Sequence, residues 1–324
     1  MLNNLKNYFL NKSNSYNYYK HNVSKLDKEI NDLIIQNKKL KEENKIYTSN
    51  IKYPPGHFYS PLPNIEDIKN HKEESFSRNK KLYGININKE EQLKYLKLIS
   101  NYYKDFIYKK NNIEGYRYQI ENPNFGFYAA VALFGMLRNI KPKKLIEVGS
   151  GWSSCLTLDT NEKFFNNEID LTFIEPYPNL LYDIIKEEDK NHINVVDSKI
   201  QDIDVNFFKE LGENDILFID STHVSKMDSD TNYLIHTILP NLNKGVIIHF
   251  HDVLYPFEYP ESWILEGRGW NEAYILRAFL EFNDTFEIIF MNNYIKEQCS
   301  DELKNLLPDC VDDLSSSLWL KKIK

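Results

Sequence analysis

Apolar residues in the first fifty positions recur with a helical period. Val23, Leu26, Ile30, Leu33, Asn37, Leu40, Asn44 and Tyr47 are spaced by three and four in turn, which makes them successive a and d positions of a heptad. β-Branched residues at a (Val23, Ile30) with leucine at d (Leu26, Leu33, Leu40) favour a parallel two-stranded coil, and asparagine at a fixes its register. The pattern predicts a dimerising helix within residues 1–50. An amphipathic helix lying on its own domain would show the same stripe. Four prolines then fall between Pro54 and Pro63 and forbid regular structure there. Helical spacing resumes over 89–109 and again over 127–139, where Pro142 stops it.

From Lys144 the texture changes to short apolar runs separated by polar helical stretches. Runs at 145–148, 171–174, 193–196, 216–219, 246–250, 286–291 and 317–320 read as strands. Their alternation with helical segments predicts a parallel sheet covered on both faces. The last two runs are joined through a loop containing Pro308 with no long helical pattern, which predicts an antiparallel final strand. The expected organisation is a helical arm (1–50), a Pro-rich segment with lead-in helices (51–140) and one α/β domain (141–324). No internal repeat is visible.

Composition narrows the classes. Hydrophobic residues make up 42% and charged residues 27% of the chain, proportions of a folded soluble protein. A net charge of −7 and a pI near 5.7 supply no overall attraction for nucleic acid or an anionic membrane. No stretch approaches the roughly 18 apolar residues of a membrane span, and the run Tyr8-Phe9-Leu10 is shorter than a signal-peptide core. A cytoplasmic location is expected. Three cysteines, Cys155, Cys299 and Cys310, are an odd number without metal-type spacing, so neither a disulfide framework nor a zinc site is supported. The 22 Tyr and 19 Phe are an excess, part of which is expected to be binding surface.

The chemistry gathers at the strand ends. The first strand runs into Glu147-Val-Gly149-Ser-Gly151-Trp-Ser153-Ser154, and glycines at such a turn let the backbone approach a ligand at the carboxyl edge of the sheet. Glu175 ends the second strand, placed to accept hydrogen bonds from a ribose diol. Both features also suit a nicotinamide-dependent oxidoreductase, but that fingerprint wants glycine where this chain has Ser154. Glu147 instead fits the variant that binds S-adenosylmethionine, which is zwitterionic and carries no phosphate. The fourth strand ends in Asp220-Ser-Thr-His223 and the fifth in His249-Phe-His251-Asp252, so three imidazoles and two carboxylates share one rim.

Methylating a sugar hydroxyl requires removing a proton that ionises far above neutral pH. A histidine suits the general-base role, with His223 the first choice and Asp220 and His251 beside it. A divalent Mg or Mn ion held by Asp220, His251 and Asp252 is the other route, since it would polarise the hydroxyl directly. After the fifth strand, Tyr255, Glu258, Tyr259, Trp263 and Arg268 combine flat apolar faces with polar groups, as a sugar site requires. Arg268 or Arg117 would pair with the diphosphate of a nucleotide sugar, and His57 and Tyr59 are candidates for a lid.

Residues 143–252 resemble a class I S-adenosylmethionine-dependent methyltransferase. Asp220-Ser-Thr-His223 with His251-Asp252 resembles the branch found in bacterial surface-polysaccharide gene clusters. The likeness extends through Pro54-Pro-Gly-His-Phe58, Tyr255-Pro-Phe-Glu-Tyr-Pro260, Trp270-Asn-Glu-Ala-Tyr274 and Ser317-Leu-Trp-Leu320, leaving out only the first fifty residues. It implies a Rossmann-like, doubly wound seven-stranded sheet of order 3-2-1-4-5-7-6 with strand seven antiparallel. It also implies Glu147, Gly149 and Gly151 around the methionine part of the cofactor, Glu175 holding the ribose and Gln201 near the adenine, with Ser153 and Asp220 also among the cofactor-binding residues. The branch is similar to metal-dependent sugar O-methyltransferases of antibiotic pathways, from which this chain departs at His251, where those enzymes tend to carry a carboxylate. The implied activity is methyl transfer to the hydroxyl of a sugar, nucleotide-linked and destined for surface polysaccharide, and the heptad adds the expectation of a homodimer or higher oligomer. A non-catalytic coiled-coil scaffold with a degenerate domain is the remaining reading, and intact Glu147, Gly149, Gly151 and Glu175 argue against it.

Overall fold

A computed structural model describes residues 2–48, 52–78, 80–108 and 113–324. The chain divides into two compact units, Met1–Lys69 and Asn70–Lys324. In the first, one helix runs from Leu2 to Thr48, covering the predicted heptad, with the side chains of Asn44 and Tyr47 outside the described residues. The Pro-rich segment that follows turns on itself: the Gly56 N–H donates to the Leu62 carbonyl at 3.1 Å and the His57 ring stacks on Tyr53 at 4.6 Å.

The second unit is built on seven strands: β1 (Lys144–Val148), β2 (Asp170–Ile174), β3 (Ile193–Val196), β4 (Ile216–Ile219), β5 (Ile247–His251), β6 (Phe286–Met291) and β7 (Ser317–Lys322). Their order is β3-β2-β1-β4-β5-β7-β6, as expected. The first five strands pair in parallel, and β7 runs antiparallel between β5 and β6. β4 is an unbroken apolar run, and every residue of β5 is buried, its two histidines included, because both faces of the sheet are covered. The link from β6 to β7 carries two short helices, Asn292–Gln298 and Ser300–Leu306, rather than the bare loop expected from Pro308.

The lead-in helices fold with this sheet. Helix Phe127–Ile140 is apolar almost all round and buries ten consecutive residues from Tyr128 to Leu137, each large side chain among them contributing roughly 1.5–3 kcal/mol. It ends where Lys141 adopts a left-handed conformation ahead of Pro142, a combination that cannot continue a helix. The parallel strands all point their carboxyl ends the same way, and the pairs Val148–Ile219 and Ile219–Phe250 bring the ends of β1, β4 and β5 level. The residues just past those ends therefore share one edge, where open α/β sheets leave a crevice for ligands.

Candidate active site

The turn after β1 is locked by a steric requirement. Gly149 has φ +81°, and a Cβ there would sit 1.8 Å from the Asp220 carbonyl oxygen, so only glycine lets β1 and β4 lie this close. The Gly149 N–H donates to the Ile174 carbonyl at 3.0 Å and the Asp220 N–H to the Val148 carbonyl at 2.9 Å, tying three strand ends together. Glu147 lies beneath the turn and does not line the crevice. Its two carboxylate oxygens accept from the Ser153 and Ser154 hydroxyls, the second at 2.9 Å, and burial pushes its pKa up to about 8 despite those bonds. Glu147, expected to flank the cofactor, is thus separated from the crevice by the turn it supports. Ser154, the departure from the dinucleotide fingerprint, also accepts the Gly151 N–H at 3.0 Å and so caps the helix Trp152–Phe165.

A crevice runs along the carboxyl edge in two halves. One, of about 450 Å³, is walled by Glu175, Tyr177, Ile200, Gln201, Lys226 and Asp228. The other, of about 610 Å³, is walled by Phe125, Gly151, Ser153, His223, His251, Asp252 and the aromatic loop beyond β5. Gly149, Glu175, Asp220, Ser221 and Thr222 border both halves, which makes them one continuous site. Glu175 is held by the backbone N–H groups of Tyr177 (2.9 Å) and Ser150 (3.3 Å), with its remaining lone pairs facing the crevice. The Gln201 amide donates to the Asp228 carbonyl at 2.7 Å. Ser221 Oγ at the shared border and Ser150 Oγ in the larger half are buried without a hydrogen-bond partner among the described residues, an arrangement that fits a polar ligand.

In the larger half, three ligand-type side chains converge. Asp220 Oδ1 lies 3.5 Å and Asp252 Oδ2 3.6 Å from His223 Nε2, while His223 Nδ1 meets Glu272 Oε2 at 2.9 Å. His223 and Asp252 both have left-handed backbones (φ +59° and +56°), uncommon for such residues and found where surrounding structure dictates the conformation. For His223 that structure is the start of the helix Glu272–Leu280, whose Asn271 and Glu272 N–H groups both donate to the His223 carbonyl at 3.1 Å. Asp252 is held by the Ser316 hydroxyl at 2.7 Å. Glu272 is fully buried and was not among the residues singled out from sequence, although its segment had been noted.

Electrostatics bears on the role expected of His223. Burial opposes its charge, but Asp220 and Glu272 outweigh burial and hold its pKa well above the ordinary histidine range. The surroundings thus favour the imidazolium, the form the ring takes when Nε2 accepts a proton. Asp220 is held below the usual carboxyl range by His251 and His223, against the opposing effect of burial. His249 is neutral because burial and the neighbouring His251 push its pKa well down, and its ring stacks on Phe218 at 3.9 Å as part of the core.

The metal set is likewise redrawn. One ligand atom from each of Asp220, His223 and Asp252 lies within 4.8 Å of the others. His251, expected in that set, borders the crevice with its ring against Phe125 at 5.1 Å and its Nε2 3.8 Å from Asp252.

The substrate loop separates into lining and support. Trp263, Arg268 and Trp270 line the crevice, the Arg268 guanidinium lying 4.3 Å from the Trp263 ring and 4.8 Å from the Trp270 ring. Tyr255, Glu258 and Tyr259 do not line it. Tyr255 packs on Tyr294, Glu258 pairs with Lys80 at 3.1 Å, and buried Tyr259 accepts the Ala273 N–H behind the tryptophans. Arg117 is consumed by buried pairing with Asp159, Asp189 and Glu162 and has nothing to offer a diphosphate. His57 and Tyr59 belong to the first unit.

The family described as a methyltransferase domain matches residues 146–253. An uncharacterized protein of Archaeoglobus fulgidus is 37% identical over 169 residues, which span 50% of this chain and 75% of that protein. Among solved structures, the chain is similar to SAH-bound methyltransferase PaMTH1 of Podospora anserina (16% identity, 82% of this chain and 99% of that one, TM-score 0.39). It is also similar to the O-methyltransferase TomG of Streptomyces achromogenes in complex with SAM (10% identity, 72% and 99%, TM-score 0.43). No helix of the described residues is long and apolar enough to cross a membrane. Strand order, glycine turn and domain match agree: the chain belongs to one family with the Archaeoglobus protein and carries a methyltransferase domain.

Proposed function

We propose that this protein is an S-adenosylmethionine-dependent O-methyltransferase whose acceptor is a sugar hydroxyl, on a nucleotide-linked sugar used to build surface polysaccharide. The observation that carries the reading is the continuous crevice, in which a half suited to a nucleoside opens directly into a half lined by carboxylates, histidines and two edge-to-face tryptophans. Glu175 would hold the ribose diol, Gln201 the adenine end, and the unpartnered Ser150 and Ser221 hydroxyls the polar atoms between. When bound, the cofactor supplies a methyl group on a positively charged sulfur, with a neutral thioether as the leaving group.

The chain supplies the rest. Trp263 and Trp270 offer flat faces to a pyranose, and Arg268 donates to its hydroxyls or to a linked phosphate. In its neutral form His223 would take the acceptor's proton at Nε2, with Asp220 and Asp252 at 3.5 and 3.6 Å and Glu272 on Nδ1 stabilising the imidazolium that forms. The same three residues also fit a divalent cation such as Mg or Mn: an imidazole nitrogen and two carboxylate oxygens stand close enough to share one ion. Such an ion would take the place of the Nε2 proton and polarise the acceptor hydroxyl.

Calorimetry with S-adenosylhomocysteine should show binding, with no binding of NADH. Turnover against a panel of nucleotide sugars, with and without EDTA, identifies the acceptor and decides between the proton and the metal ion. Absence of S-adenosylhomocysteine binding would sink the reading.

A further inference from the structure

The heptad seen between Val23 and Tyr47 continues, without a skip, back to the start of the helix. Stepping by seven, Leu2, Phe9 and Tyr16 precede Val23 at a, and Leu5, Lys12 and Tyr19 precede Leu26 at d. Over residues 2–48, eleven of the fourteen a and d positions are apolar or aromatic, against six of the other thirty-three. One register thus spans the whole helix Leu2–Thr48, about 70 Å at 1.5 Å per residue.

The single chain leaves this seam uncovered. Where the side chains are described, the apolar a and d residues are exposed from 52% at Ile30 to 87% at Leu2, and Val23, Leu26, Leu33 and Leu40 all fall between. An isolated helix of this composition has little reason to persist in water, since most helical stability comes from packing an apolar face.

We propose that residues 2–48 pair with the same segment of a second copy of this chain, as a parallel, in-register, two-stranded coiled coil. Three features select that occupant. Valine and isoleucine at a with leucine at d are the two-stranded combination. Asn37 and Asn44 at a find a hydrogen-bonding mate only where the identical residue faces them, which demands a second copy in register. The flanks agree as well: g carries Glu29 and Glu43 and no base, whereas e carries Lys6, Lys20 and Lys41 against Asp27 alone. A parallel, in-register pair sets each g against the e five residues further on in the partner, Glu29 against Ile34, Glu43 against Thr48, and Lys20 and Lys41 against Ser15 and Gln36, so no like charges meet; an antiparallel pair would set g against g and e against e, like against like.

The test uses the full chain. Light scattering should give twice the chain mass, falling to the monomer in the double variant Leu26→Glu, Leu33→Glu. In separate single variants, Ile30→Cys at a should form an interchain disulfide on mild oxidation, and Lys28→Cys at f should not; Cys155, Cys299 and Cys310 are buried and leave the background clean. A monomeric wild type, a trimer or larger assembly, a mass unmoved by the double variant, or cross-linking no better at position 30 than at 28 would each overturn the proposal. None of these outcomes depends on the proposed reaction.

Discussion

The two halves of the crevice are held by different means. In the nucleoside half, the shaping contacts are main-chain ones between adjacent strand ends, and Glu175 is fixed by N–H groups of its own turn and of the turn after β1. In the acceptor half, side chains are fixed by side chains far along the chain, His223 by Glu272 across 49 positions and Asp252 by Ser316 across 64. The first arrangement is a property of the sheet; the second has to be assembled by the whole domain. Damage to the main-chain contacts of the first should therefore strike fold and cofactor together, and damage to the second should strike chemistry alone.

Gly149→Ala is the strongest way to test that contrast. With 1.8 Å between the new methyl and the Asp220 carbonyl, and a backbone already at positive φ, the variant should lose more than about 4 kcal/mol of stability and all measurable S-adenosylhomocysteine binding. A soluble variant with ordinary affinity would break the account of the β1–β4 contact. Next in size, Glu272→Gln should lower turnover about 100-fold while cofactor affinity and the melting temperature barely move, because the carboxylate touches neither ligand and acts by orienting His223. Equal losses in affinity and turnover would show that the halves are not separable. Glu175→Ala should do the reverse, weakening S-adenosylhomocysteine about 10- to 100-fold in calorimetry with the fold intact, the loss expected from one or two charge-assisted hydrogen bonds.

The smallest effect concerns pH. Glu147 has its pKa raised to about 8 by burial, so its contribution to stability is fully present below the ordinary carboxyl pKa of 4.5 and is lost as pH rises through 8. Thermal melts from pH 5 to 9 should show wild type losing several degrees relative to Glu147→Gln, whose amide cannot ionise. Parallel curves would mean that the charge is accommodated.

The same contrast explains what could be read from the chain. The sheet order was legible, and so was the meeting of Gly149, Glu175 and Gln201 on one half of the crevice, because these residues follow strand ends and strand ends are marked by local apolar runs. Glu272 was not, since nothing near it in sequence says that it will meet His223. Tyr255, Glu258 and Tyr259 were misplaced for a related reason: nearness to β5 in sequence does not tell which side of a folded-back loop faces the crevice, and Tyr259 turns inward to receive the Ala273 N–H. His223 was found as a site residue, but the carboxylates around it, Asp220, Asp252 and Glu272, come from three segments that only the fold brings together.

The tryptophans carry an optical consequence. The chain has four, of which Trp152, Trp263 and Trp270 line the acceptor half while Trp319 is buried in β7. Emission from this protein is therefore weighted toward the crevice, with one shielded indole as an internal reference. Any ligand that displaces the Arg268 cation from between Trp263 and Trp270 should change both intensity and wavelength, which makes the untagged protein its own sensor for acceptors.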